Sequence, residues 1–287
     1  MSGRRPEPSP RGIAAGSGPP LGPGDPVVFV DRQGREHYDV LGVGRITDIR
    51  GNTVPHERLF DAPEGVRVRG SRAVEFRVVR ATLPQHVRYM QRHAQIIYPK
   101  DLALLVTYAD LFPGAVVIEG GYGSGALSMA IMRAIGAAGH LTTYELRPEA
   151  KNRADKNVRA LLGDDGPLAT HVVRIGDLYQ GMEEADRSVD RILLDVPEPW
   201  DVLAHAARVL KPGGLLAAYV PTAIQMQRFV LEAYATKAYL PAESLETIER
   251  WWRVTQESLR PEQKMIGHTG FLCFARRVAD AFVNCAE

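Results

Sequence analysis

The side chains best suited to chemistry are a few carboxylates set around a run of glycines. Glu119-x-Gly121-x-Gly123-x-Gly125 lies within residues 115–133, AVVIEGGYGSGALSMAIMR. Glycines let a backbone approach a ligand closely and adopt positive φ without strain. Glu145 stands 20 residues after Gly125 (145 − 125), the interval at which a carboxylate meets ribose hydroxyls in nucleotide-binding α/β folds. Its two oxygens suit the two hydroxyls of a ribose. Further on, Asp195-Val196-Pro197-Glu198-Pro199-Trp200 sets a carboxylate and a large aromatic in a loop stiffened by two prolines. Such a loop is built to hold the edge of a planar substrate.

Elements of regular structure must place these groups. Val116, Val117 and Ile118 form the β-branched run of a buried parallel strand, and helical spacing resumes from Ala126 to Ile135. Strand, glycine loop and helix make the first half of a βαβ unit, with a crevice at the carboxyl end of the sheet. Residues 139–145, 171–175, 189–194 and 215–221 read as the next strands, so Glu145, Asp177 and Asp195 each follow a strand end. Residues 148–162, 201–210 and 223–238 read as helices. Residues 244–256 suit a long sixth strand, with a helix as the alternative, and 267–276 a closing strand, conventionally antiparallel. Asp177, after Gly176, also suits a helix cap. Pro99 ends any nearby helix, and Leu102–Leu111 is the helix before the central strand.

Two cofactors fit the glycine loop. Gly121-x-Gly123-x-x-Ala126 satisfies the dinucleotide fingerprint. The acid-plus-glycine pattern satisfies S-adenosyl-L-methionine (SAM) methyltransferases. Lys211-Pro212-Gly213-Gly214, a turn leading into a strand, is typical of the second class and decides for SAM.

The remainder of the chain has a different texture. Residues 1–24 are rich in Pro, Gly, Ser and Arg and read as a disordered tail. Residues 25–80 alternate short apolar runs with turns, as a small antiparallel β domain does. There Arg67, Arg69, Arg72, Arg77 and Arg80 alternate with apolar residues, giving either a solvated sheet face or a phosphate-contacting one. Residues 81–278 form the cofactor-binding domain and 279–287 a C-terminal tail. The formal charge of +1 gives no global field toward nucleic acid. Cys273 and Cys285, without metal-like spacing, imply a reducing compartment. No apolar run approaches the ~20 residues that span a bilayer, and no signal peptide is evident, so the expectation is a cytoplasmic protein. Histidines and carboxylates show no ligand spacing, and no metal is expected.

Taken together, QIIYPKD (95–101), EGGYGSGAL (119–127), Tyr144-Glu145, DVPEPW (195–200), YVPTAIQ (219–225) and GHTGFL (267–272) resemble the bacterial and archaeal tRNA (adenine-58-N1)-methyltransferase family, especially its actinobacterial members. The resemblance spans about residues 22–277. It implies a Rossmann-like class I methyltransferase domain, with a seven-stranded, mostly parallel sheet, beside a small N-terminal β domain. It also implies transfer of a methyl group from SAM to N1 of an adenine in tRNA, leaving S-adenosyl-L-homocysteine. By the same resemblance the loop residues Glu119, Gly121, Gly123, Ser124, Gly125, Ala126 and Leu127, with Glu145, Asp177 and Asp195, bind SAM. Asp195 and Tyr98 are the catalytic candidates, lining the pocket of the target base, and the assembly is a homotetramer. Tyr122, bulky for this loop, and His93, where glycine is usual, depart from the family pattern. They leave a small-molecule or peptide acceptor as the alternative.

Overall fold

The computed structural model describes residues 18–92, 95–163 and 169–279. Most of the expected N-terminal tail (1–17), His93 and nearly all of the C-terminal tail (280–287) lie outside the described residues. The chain divides into two compact units, one of residues 1–91 with 155–167 and the other of 92–154 with 168–287.

The first unit begins with strands β1 (Pro26–Val30), β2 (Glu36–Val40), β3 (Ile46–Ile49), β4 (Asn52–Pro55), β5 (Val66–Arg69) and β6 (Glu75–Arg80), followed by helix α1 (Leu83–Tyr89). β2-β1-β6-β5 form an antiparallel sheet, and β3 and β4 a separate hairpin. Val27, Phe29, Phe76 and Val78 turn to one face and pack with Leu41 and Leu59. Leu21 joins this core at 1% exposure, its backbone bonded to Asp61 and Ala62, so ordered structure starts before the expected limit at residue 24. Strand parity sorts the arginines. Arg67, Arg69 and Arg77 are exposed, with Arg67 directly opposite Arg77. Arg80 instead turns inward onto Asp25 (2.8 Å) and Glu64 (3.2 Å), and Arg72 lies in the turn after β5. The shared face therefore holds three of the five.

The second unit contains α2 (Pro99–Tyr108), β7 (Val116–Gly120), α3 (Ala126–Ile135), β8 (His140–Glu145), the start of α4 (Pro148–Leu162), β9 (Thr170–Ile175), β10 (Val189–Leu194), α5 (Leu203–Val209), β11 (Leu210–Val220), α6 (Ala223–Ala235), β12 (Glu243–Glu246), β13 (Trp252–Val254), β14 (Leu259–Pro261) and β15 (Phe271–Arg276). Its seven-stranded sheet runs β12-β15-β11-β10-β7-β8-β9, parallel from β11 to β9, with β15 antiparallel to both neighbours. Three expectations shift. Pro99 opens α2 rather than ending a helix, because a first-turn proline sacrifices no hydrogen bond. The Lys211–Gly214 turn lies within β11 as an irregularity: Val189 pairs with Leu210 but Arg191 with Leu215. The long sixth strand is short, leaving the sheet after Glu246, and the rest of its alternating pattern goes into the β13–β14 hairpin.

In the first unit, helix α1 is capped reciprocally by Thr82 and Gln85 and carries His86 at 1% exposure. His86 Nδ1 lies 2.9 Å from the Tyr38 hydroxyl and Nε2 2.9 Å from the Asn157 carbonyl. The carbonyl only accepts, so Nε2 carries the proton and Nδ1 accepts from Tyr38. Burial holds the ring neutral, lowering its pKa to about 4. The unfolded chain takes up this proton near pH 6.5 and the folded one only near 4. Stability is therefore lost as pH falls through that window, by on the order of 3 kcal/mol. Thermal melts at pH 7 and pH 5 should show about 2 kcal/mol of this loss in the wild type and a smaller one in His86→Gln; equal losses would exonerate His86.

Candidate functional site

A cavity of about 720 Å³ opens in the second unit, lined among others by Gly121, Gly123, Glu145, Asp177, Asp195, Tyr219, Gln225 and Thr269. Most of these follow the carboxyl ends of β7, β8, β9, β10 and β11, where open α/β sheets hold their ligands. The glycine loop and the loop after β10 meet there backbone to backbone. Asp195 N–H donates to the Gly120 carbonyl (2.8 Å), and Gly121 has φ +88°. A Cβ on Gly121 would fall onto the Asp195 carbonyl oxygen, so this position requires glycine on two counts.

The expected site residues divide into two groups. Gly121, Gly123, Glu145, Asp177 and Asp195 come together around the cavity. Glu145 is nearly buried, its carboxylate accepting from the Arg147 amide (3.0 Å) and, more loosely, from Gly123 N–H (3.4 Å). Asp177 also caps the turn that follows it, accepting from Tyr179 N–H at 2.9 Å. Ser124, Gly125, Ala126 and Leu127 are buried at the start of α3 and are not among the lining residues. Tyr98 is half-buried, ahead of α2, and is not among them either.

Glu119 does something other than line the cavity. Fully buried, it accepts from the Ser128 hydroxyl (2.5 Å) and the Thr143 hydroxyl (2.6 Å), both on one oxygen. Desolvation pushes its pKa up to about 8 against the pull of these two hydroxyls, and its other oxygen is buried without a hydrogen-bond partner among the described residues. Tyr122 likewise turns inward, at 2% exposure, its ring edge-on to His171 (5.4 Å). Its bulk is absorbed by the protein interior. Trp200 also packs in the core, with the Arg228 guanidinium 4.2 Å from its ring centre.

Asp195 is the cavity carboxyl whose ionisation burial moves furthest. Burial alone raises its carboxyl pKa to about 7, and perturbed carboxyls of this kind cluster at functional sites. Tyr179 braces the loop behind it by accepting from Glu198 N–H (3.1 Å) and reaching the Glu198 carboxylate (3.2 Å). Gln225 donates to the Pro197 carbonyl (3.1 Å) from α6. Tyr219, Thr269 and Gln225 escaped individual notice in the sequence, although each lies inside a motif, YVPTAIQ or GHTGFL, that carried the resemblance.

The cavity is of the size that encloses a cofactor-sized ligand. A close-approach glycine beside a carboxylate suited to a diol fits the nucleoside portion of SAM. No group of His, Cys, Asp and Glu able to hold a metal occurs among the described residues.

The family described as "tRNA methyltransferase complex GCD14 subunit" matches residues 78–260. A tRNA (adenine(58)-N(1))-methyltransferase TrmI of Thermus thermophilus is 37% identical over 252 residues, covering 88% of this chain and 96% of its own. The tRNA (adenine(57)-N(1)/adenine(58)-N(1))-methyltransferase TrmI of Methanocaldococcus jannaschii is 31% identical, covering 87% and 94%. Among solved structures, a SAM-dependent O-methyltransferase from Thermotoga maritima superimposes with TM-score 0.82 at 28% identity, over 92% of this chain and 96% of that one. The tRNA (m1A58) methyltransferase TrmI of Aquifex aeolicus does so with 0.77 at 26%, over 91% and 99%.

Because Glu119 is enclosed away from the cavity lining, Glu119→Gln, which keeps an oxygen for Ser128 and Thr143, should bind SAM with unchanged affinity. Glu119→Ala strips Ser128 and Thr143 of their acceptor and should cost about 1–3 kcal/mol. A ten-fold loss of SAM affinity in Glu119→Gln, by calorimetry, would show that the carboxyl reaches the ligand.

Proposed function

The chain belongs to the tRNA (adenine-58-N1)-methyltransferase family, and on that premise we propose that it methylates N1 of an adenine in the T-loop of tRNA. The observation that carries the reading is Asp195, a carboxyl with raised pKa on a braced loop, facing the same cavity as Glu145 and the glycine loop. Bound SAM supplies an activated sulfonium methyl, for which adenine N1 is the nucleophile. The protein's task is then largely orientation, worth ~7–11 kcal/mol in well-aligned reactions.

Gly121, Gly123 and Asp177 hold the cofactor, Glu145 accepts from its ribose, and residues 124–127 fix the loop from behind. Asp195 accepts a hydrogen from the adenine N6 amino group, which aligns the Watson–Crick edge and offsets the positive charge that N1 methylation creates. Tyr98 stacks on the base once it has left its own stack, a step that costs a few kcal/mol. On the first unit, Arg67, Arg69 and Arg77 offer one exposed face to phosphates.

The reading extends to a cytoplasmic homotetramer. No helix among the described residues is long and apolar enough to cross a membrane. Trp251, Trp252, Val254 and Leu259 are 56–72% exposed on or beside the β13–β14 hairpin, a patch that a second copy of the chain would cover.

The test is methyl transfer from labelled SAM to unmodified tRNA, followed by nucleoside analysis. The expected product is 1-methyladenosine. SAM binding without transfer would point instead to a small-molecule or peptide acceptor. Asp195→Ala should keep its SAM affinity and lose turnover by on the order of 10²-fold; undiminished turnover would remove Asp195 from the mechanism.

A further inference from the structure

Lys100 and Asp101 form a buried ion pair with no assigned role. The Lys100 side chain is 6% exposed and that of Asp101 is fully buried, with Nζ 2.7 Å from Oδ1. Burying two charges costs several kcal/mol each unless geometry and further hydrogen bonds compensate. Here the compensation comes from one distant residue. The Thr269 hydroxyl accepts from Lys100 Nζ (2.7 Å) and donates to Asp101 Oδ2 (2.7 Å). Ammonium, carboxylate and hydroxyl close a triangle in which both carboxylate oxygens are used and the hydroxyl acts as donor and acceptor at once.

The triangle fixes a stretch of backbone that ends at the cavity. The Thr269 carbonyl accepts from the Tyr219 hydroxyl at 2.5 Å, and that bond is buried. Gly270 follows, and a Cβ there would stand 2.5 Å from Tyr219 Cζ, so the bare backbone lies flat against the ring. Tyr219 is thus held at its hydroxyl by one residue and at its ring by the next. Tyr219 and Thr269 both line the cavity that contains Asp195. The Tyr219 hydroxyl donates its hydrogen bond to the Thr269 carbonyl, which leaves the phenol oxygen free to accept. Burial, with the nearby carboxylates of Asp101 and Asp195, raises its pKa and keeps it un-ionised.

We propose that Lys100, Asp101 and Thr269 are positioning residues: their buried triangle sets the Thr269 backbone and thereby fixes Tyr219 in the wall of the methyl-transfer cavity. The inference rests on the methyltransferase reading for its functional meaning, but not for its geometry. Among the described residues the side-chain hydrogen bonds of the triangle run between its own members, and the Thr269 carbonyl takes the Tyr219 hydroxyl, so its loss should act on the placement of Tyr219 and the acceptor more than on cofactor affinity.

The test uses the full chain and two readouts. Tyrosines labelled with ¹³C give an NMR signal for Tyr219, assigned by its disappearance in Tyr219→Phe. Thr269→Val removes the hydroxyl at constant shape and should shift or broaden that signal, while Thr269→Ser should restore it. The double replacement Lys100→Met with Asp101→Asn removes both charges together and should disturb the signal in the same way, should Thr269→Val fail to fold. In methyl transfer, Thr269→Val should lower kcat roughly 10- to 100-fold with S-adenosyl-L-homocysteine affinity unchanged, and should cause little further loss in a Tyr219→Phe background. An unmoved Tyr219 signal in both variants overturns the clamp, as does full additivity with Tyr219→Phe. The tyrosine signal needs no substrate, so it judges the clamp even if transfer to tRNA itself fails.

Discussion

The structure depends on one close approach, between the backbone of Gly121 and that of Asp195. β7 and β10 are neighbours in the sheet, and their loops leave it side by side. Only a residue without a Cβ and with positive φ lets them touch. Two consequences follow. The glycine loop is drawn tight enough for Gly121 and Gly123 to form a cavity wall, and Asp195 enters that wall at a position set by main-chain geometry. A carboxylate anchored through its own backbone loses little freedom when a substrate arrives, which is what an orienting group requires.

Around this contact, similar acids acquire different chemistry from their surroundings. Glu119, enclosed, accepts from two hydroxyls while desolvation raises its pKa. Glu145 is braced by backbone amides at the cavity edge. Asp195 has its ionisation moved to the middle of the physiological range by burial alone. Asp101 is neutralised by Lys100 and acts through Thr269. The division of labour is set by desolvation and by the hydrogen bonds each carboxyl receives.

What the sequence made legible was whatever local spacing encodes. The strand–glycine loop–helix unit, Glu145 after the second strand and the proline-stiffened loop after the fourth are short-range patterns, and all three place residues at the cavity. Glu119 abuts the glycines in sequence, yet its hydroxyl partners Ser128 and Thr143 stand on other elements, which local spacing does not reveal. Tyr122 looks obstructive in a loop and is accommodated by turning into the interior, where its ring meets that of His171, from β9, in a T-shaped contact. The sixth strand reads as long since alternation alone does not say where a backbone leaves its sheet. Lys100, Asp101 and Thr269 could not be joined on paper: the hydroxyl and the carboxylate it serves are 168 positions apart, and no periodicity spans that distance.

The desolvated carboxyl at the Gly121–Asp195 contact must be ionised to act on the acceptor. The direct measurement is the pH dependence of single-turnover methyl transfer to tRNA with saturating SAM, for the wild type and Asp195→Asn. The wild-type rate should rise with pH around a midpoint near 7, where the carboxyl loses its proton, and the variant should show a low rate without that step. A wild-type profile flat between pH 6 and 8, or an identical step in Asp195→Asn, would contradict it.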